Sequence, residues 1–251
     1  MNIDWNAKEY KQNFHFVADY GKDVLSLIDV PKGSFVVDLG CGNGVLSAEL
    51  KLKEYDVIGL DASEQMIELA KKLHPDIEFI CDDIRSFKLA KKADGIFSNA
   101  VLHWIDEKDQ QMMLSNIADN IKTGGVFAFE FGGWGCAESV HSTLERIFSA
   151  HNMQYKRMFY FPTIGIYAPL LEKAGFKVVY ATLFDRFTPQ VGESGLADWI
   201  KMFDKVPFEG IDEKMTDKII SEAEEKLRDK LYKNNRWYVD YVRLRMKCVK
   251  L

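Results

Sequence analysis

Between about residues 35 and 130 the chain alternates short apolar, β-branched runs with longer stretches whose apolar positions recur at helical spacing. That alternation predicts a parallel sheet with crossover helices. Phe35 to Leu39, Val57 to Asp61, Ile77 to Ile80, Gly95 to Ser98 and Val126 to Phe129 read as five strands. Right-handed crossovers carry every strand's C-terminal end to one edge of the sheet, which is where such folds bind ligands. Ser63 predicts an N-cap ahead of a helix face made by Met66, Leu69, Ala70 and Leu73. Asp106 predicts another ahead of Met113, Leu114, Ile117, Ala118 and Ile121, with Gly124-Gly125 as its stop.

After residue 130 the rhythm changes. Helices are predicted over residues 138–151 and 164–173, then a strand over 176–184. Leu196 to Phe203 forms one helical piece of an insertion, and Met215, Ile219, Ala223, Leu227 and Leu231 form a four-spaced stripe on another. Finally Val242, Leu244, Met246 and Cys248 alternate with Arg243, Arg245 and Lys247, the pattern of a strand with one solvated face.

With 47% hydrophobic residues, 251 residues suffice for one large core. The net charge of −5 is spread with both signs interspersed, so the one-sided basic surface of a nucleic-acid binder is missing. Met1 to Asn6 has neither the basic start nor the apolar stretch of a secretory signal, and no run is long enough to span a bilayer. These features predict a cytoplasmic protein with no membrane or nucleic-acid partner. Cys41, Cys81, Cys136 and Cys248 lie far apart without a Cys-x-x-Cys pair, and no His/Asp/Glu group has ligand spacing, so no metal site is expected.

Chemistry concentrates in the turns after the strands. Val36 to Gly44 reads VVDLGCGNG, a strand turning through three close glycines into a helix, where backbone can approach a ligand and free N–H groups point outward. Val45 occupies the third glycine position of a dinucleotide fingerprint, and no Gly-Lys-Ser/Thr follows, which argues against a bound pyrophosphate and against a P-loop. Asp61 ends the second strand roughly 20 residues after the first glycine, where an acid in a doubly wound fold faces a ribose. In Cys81-Asp82-Asp83-Ile84, one of the two aspartates can accept from an adenine amino group while Ile84 packs on the ring.

VVDLGCGNG, IGLDAS with Met66, CDDI and SNAVLHWI resemble, in succession, the motifs of class I S-adenosylmethionine-dependent methyltransferases. The later EFGG and the Asp185-Arg186-Phe187-Thr188 to Trp199 and Phe203 pattern resemble the branch of trans-aconitate methyltransferases and malonyl-carrier methyltransferases. The resemblance implies an α/β fold: a doubly wound, Rossmann-like, mostly parallel sheet of seven strands with a helical insertion before the last, antiparallel strand. It divides a single domain into an N-terminal helical lid (1–30), an α/β core (31–186 and 237–251) and an acceptor-side helical cap (187–236). It implies S-adenosyl-L-methionine as cofactor, S-adenosyl-L-homocysteine as product, and a cofactor site of Gly40, Gly42 and Gly44 with Asp38 behind them, Asp61, Met66, Asp83, Ile84 and Asn99.

The sulfonium already activates the methyl group, so alignment of a small-molecule acceptor is the main task. An ionised carboxylate would need only a clamp, for which Arg157, Arg186 and Arg236 are candidates. A hydroxyl or amine would need a base such as His103, whose alternative role is to shape the pocket. Tyr20, Trp104 and Trp134 are candidates for the acceptor pocket, and residues 1–22 for a segment that orders on cofactor binding. The remaining alternative is a non-catalytic S-adenosylmethionine-binding protein with a regulatory or interaction role; a monomer or homodimer is expected.

Overall fold

The computed structural model describes Gly21 and residues 23–251. Seven strands form the sheet: β1 (Phe35–Leu39), β2 (Asp56–Asp61), β3 (Glu78–Cys81), β4 (Ala93–Asn99), β5 (Ile121–Gly132), β6 (Phe176–Pro189) and β8 (Arg236–Lys250). The two-residue β7 (Tyr232–Lys233) pairs with β8 as a hairpin. The order is β3-β2-β1-β4-β5-β8-β6, parallel from β3 through β5, with β8 antiparallel to both β5 and β6. The doubly wound, mostly parallel sheet with an antiparallel C-terminal strand is thus present.

Alternation along β1 decides which layer each residue enters. Phe35, Val37 and Leu39 face a core with α3 (Glu107–Asp119) and α5 (Ile164–Lys173), whereas Val36 faces one with α1 (Val45–Leu52) and α2 (Glu64–Leu73). A third core joins α4 (Glu138–Ala150), α6 (Gly195–Phe203) and α7 (Glu213–Leu231) to Trp237, Val239 and Tyr241 of β8. The last of these cores seats the helical cap over the C-terminal edge of the sheet.

Several local expectations are corrected. Ser63 caps α2, accepting from the Met66 N–H at 3.4 Å, but Asp106 makes no side-chain capping bond to α3. Ile121, Gly124 and Gly125 lie within β5 rather than extending and stopping α3, which ends at Asp119. β6 continues to Pro189 because Thr188 and Pro189 pair with Val239 and Tyr238, so the cap helices begin later than residue 187. Arg243 and Arg245 do not face solvent: β8 is an interior strand, and Arg243 is 6% exposed. Among the described residues no helix is long and apolar enough to cross a membrane. Tyr20, and nearly all of the segment expected to order on cofactor binding, lie outside the described residues.

Candidate active site

The loop after β1 is held open by backbone geometry that glycine permits. Gly40 and Cys41 donate to the Leu60 carbonyl at 2.7 and 3.0 Å, which ties the loop to the end of β2. Gly40 has φ of 74°, and a Cβ there would collide with Val101. Gly42 has φ of 53° and nothing within 4 Å of where its Cβ would stand, so its surface is open to a ligand. Gly44 caps α1 and is closed over by Phe79, placing it behind the loop.

Asp61 links two walls. Its Oδ2 accepts from the Gly42 N–H at 2.9 Å and its Oδ1 from the Ser63 N–H at 2.8 Å. Burial raises its carboxyl above the usual range, and the two N–H bonds pull the other way. Asp38 lies beneath, fully buried, accepting from the Ser47 hydroxyl at 2.6 Å. Asp83 is held by Arg85, whose backbone N–H and guanidinium reach its two oxygens at 2.6 to 3.1 Å, and Arg85 also reaches Asp109 at 3.2 Å. That fork holds the Asp83 carboxyl below its ordinary range.

One cavity runs from this loop under the cap. Its empty space, open mouth included, is about 1370 Å³. Gly40, Gly42, Asp61, Met66, Ile84 and Asn99 line one end, with Asp82 and Asp83 beside them. This end suits a nucleoside: a glycine face open to close approach, a buried carboxylate with room for donors, and two apolar side chains.

The other end is aromatic. His103 and Trp104, from the short 3-10 turn Leu102–Trp104, meet Phe159 and Phe161 from the irregular segment before α5, and Trp199 and Phe203 from α6. Trp104 and Phe159 stand edge to face at 4.7 Å, and Phe159 and Phe161 stack at 5.3 Å. His103 is 8% exposed, and its Nδ1 accepts from the Gly132 N–H at 3.3 Å. Burial, with the Arg243 charge adding to it, holds its pKa well below the ordinary imidazole value.

Arg243 is the charged group at this aromatic end. It lines the cavity, lies 4.5 Å over the Tyr241 ring, and its Nε is buried without a hydrogen-bond partner. Behind it, Glu130 is 2% exposed and takes bonds from Arg186 at 2.5 and 3.1 Å and from Arg245 at 2.7 Å. One carboxylate therefore sits among three guanidiniums, and the surplus positive charge faces the cavity through Arg243.

The structure thus gathers Gly40, Gly42, Asp61, Met66, Asp83, Ile84, Asn99, His103 and Trp104 around one cavity, with Asp38 and Gly44 supporting the loop. The other acceptor-side expectations fall elsewhere. Arg157 forms exposed ion pairs with Glu138 and Glu145, Trp134 is 66% exposed, Arg236 is exposed at the start of β8, and Arg186 is committed to Glu130. Arg243, Phe159, Phe161 and Tyr241 were missed. The run of three aromatic residues, Phe159-Tyr160-Phe161, was the available signal for the wall, and the sequence offered none for Arg243.

Residues 36–125 match the family model for a methyltransferase domain. An uncharacterised methyltransferase of Schizosaccharomyces pombe is 30% identical over 209 residues, spanning 79% of this chain and 80% of the relative. A trans-aconitate 2-methyltransferase of Rhizobium leguminosarum is 28% identical over 216 residues, spanning 81% of each. The crystal structure of a TehB-like S-adenosylmethionine-dependent methyltransferase from Corynebacterium glutamicum shares the fold, with a TM-score of 0.55 at 18% identity over 98% of both chains. The chain belongs to the class I S-adenosylmethionine-dependent methyltransferases and resembles their trans-aconitate branch. S-adenosylmethionine is its methyl donor.

Proposed function

We propose that the chain forms methyl esters, transferring the methyl group to a carboxylate oxygen of a small organic acid. The observation that carries this reading is Arg243, a buried guanidinium lining the acceptor end of the cavity with an unpartnered Nε. A buried guanidinium nitrogen without a hydrogen-bond partner is costly, and a carboxylate is the group whose geometry matches a guanidinium with two parallel bonds. The trans-aconitate relatives are by name carboxylic-acid methyltransferases, which agrees with that chemistry.

When bound, the cofactor supplies a methyl group already activated by its sulfonium. At the loop end, Gly40 and Gly42 offer close backbone approach, Asp61 accepts from ribose hydroxyls, and Met66 and Ile84 enclose the base. Asp83 or its neighbour Asp82 accepts from the adenine amino group, and Asn99 stands beside the amino-acid moiety. At the other end Arg243 holds the carboxylate while the aromatic wall excludes water, so placement supplies most of the rate. An ionised carboxylate needs no base, which fits a His103 that burial keeps neutral.

Two substitutions test the two ends separately. Asp61→Ala is expected to weaken S-adenosylmethionine binding by calorimetry about 10- to 150-fold, the value of one lost charge-assisted bond. Arg243→Gln is expected to leave cofactor affinity unchanged while raising the acceptor KM by a similar factor. Alkali-stable product, or an Arg243→Gln enzyme with unaltered acceptor kinetics, would rule out ester formation at this clamp.

A further inference from the structure

We infer that His141, Tyr155 and Asp204 are positioning residues for methyl transfer, a buried relay of hydrogen bonds that fixes the aromatic wall at the acceptor end of the cavity. This rests on reading that end as the acceptor's and is independent of which acceptor atom is methylated. The three side chains come from three segments. His141 stands on α4, Tyr155 in the irregular segment that goes on to Phe159 and Phe161, and Asp204 directly after Phe203 at the end of α6. The relay therefore ties together the two segments that supply Phe159, Phe161, Trp199 and Phe203, and anchors both on α4.

Its bonds have a fixed direction. The Tyr155 hydroxyl donates to Oδ2 of Asp204 at 2.5 Å, which uses its single proton. Nδ1 of His141, 2.6 Å from the same hydroxyl oxygen, is therefore the donor of the second bond. Burial, with the Asp204 charge adding to it, raises the Tyr155 phenol above its ordinary value, so the hydroxyl keeps the proton it donates. His141 is 2% exposed and Asp204 is 0% exposed, both set against the apolar core of the cap.

Stability alone does not account for this arrangement. Nε2 of His141 and Oδ1 of Asp204 are buried with no hydrogen-bond partner among the described residues. Such atoms carry a desolvation cost that apolar side chains of similar volume would not. What the relay supplies is position. The His141 ring centroid lies 5.6 Å from that of Phe159, 6.1 Å from Phe161 and 6.0 Å from Trp199, and all three rings line the cavity. Apolar packing specifies position loosely, whereas a hydrogen bond admits one direction and a narrow range of distance. An acceptor misplaced by about 1 Å can lose a factor of about 100 in rate, so a fixed wall bears directly on transfer.

The test compares the wild type with Tyr155→Phe and with the triple variant His141→Leu/Tyr155→Phe/Asp204→Val, each full length, saturated with S-adenosylhomocysteine and labelled with 15N at the tryptophan indoles. Trp104→Phe and Trp199→Phe spectra assign the two wall signals. The triple variant is expected to melt no lower than the wild type, as buried charged clusters replaced by apolar groups do, and to bind S-adenosylhomocysteine within about two-fold of it. Its Trp104 and Trp199 signals are expected to split or broaden, while that of the exposed Trp134 keeps its position. Tyr155→Phe is expected to displace the same two signals at a lower melting temperature, because Asp204 is then buried without its donor. With tritiated S-adenosylmethionine and octanoate, trans-cinnamate and trans-aconitate as acceptors, kcat/KM for the fastest acid is expected to fall about 10- to 100-fold in both variants. Wild-type Trp104 and Trp199 signals in either folded variant overturn the inference. So does a triple variant that loses its fold or its S-adenosylhomocysteine binding, since the relay would then serve folding. A wild type that esterifies none of the three acids argues against ester formation, and the indole signals then decide the inference by themselves.

Discussion

The Nε of Arg243 stands 3.9 Å from Oε1 of Glu130 and makes no hydrogen bond, while Arg186 and Arg245 reach the same carboxylate at 2.5 and 2.7 Å. The three arginines thus divide into two that hold Glu130 and one that faces the cavity. Removing the shared carboxylate leaves buried guanidiniums without a counter-charge. Glu130→Gln is therefore expected to cost about 3–5 kcal/mol, lowering the melting temperature by roughly 6–20 °C for a chain of this size. Arg243→Met keeps the stem's packing and removes an unsatisfied donor, so its melting temperature is expected to move by only a few degrees. Thermal melts of both variants check the division, and an Arg243→Met protein less stable than Glu130→Gln would reverse it.

Asp38 carries a different signature, in stability against pH. It is 1% exposed, and burial lifts its carboxyl to about 7, with the Ser47 bond opposing and the Asp61 charge adding to the lift. The folded chain therefore keeps this proton up to about pH 7, while the unfolded chain releases it near 3.8. Between those values the folded state binds more protons, so this group's contribution falls as pH rises, by about 4 kcal/mol in all. Asp38→Asn removes the titration and retains an oxygen for the Ser47 hydroxyl. Its melting temperature is expected to match the wild type below pH 4, draw ahead between pH 4 and 7, and stay roughly 8–16 °C higher above that. Parallel curves from pH 4 to 8 would remove the assignment.

The nucleoside end of the site was legible in the sequence because its signals are local. A strand, a glycine turn and an acid at the next strand's tip occur in order, and parallel topology brings successive strand ends together, as the Gly42–Asp61 bond shows. The acceptor end is assembled from distant segments, α6, the approach to α5 and β8, so no single stretch announces it. Arg243 was hidden for a specific reason. Its alternation with Val242 and Leu244 reads as a solvated face, yet β8 inserts between β5 and β6, and the cap closes over that face. Arg157 misled in the opposite sense: it is a plausible clamp by residue type, but Glu138 and Glu145 pair with it at the surface.

His103 separates alignment from proton transfer. Its Nδ1 accepts from the Gly132 N–H, which leaves the ring proton on Nε2, and its depressed pKa keeps the ring neutral through the physiological range. Such a ring is a poor general base, since the imidazolium it would become is disfavoured by burial and by Arg243. It can still donate one neutral hydrogen bond, worth about 0.5–1.5 kcal/mol, or roughly 2- to 10-fold in rate. His103→Gln, which preserves a donor, is expected to lower kcat by no more than that factor. The pH profile of kcat between pH 6 and 9 is expected to keep the wild-type shape. General-base catalysis would instead contribute about 10²- to 10⁴-fold, so the same substitution would lower kcat by that much. A loss of that size would restore the histidine as a proton acceptor and require an acceptor group with a proton to lose, which an ionised carboxylate does not have.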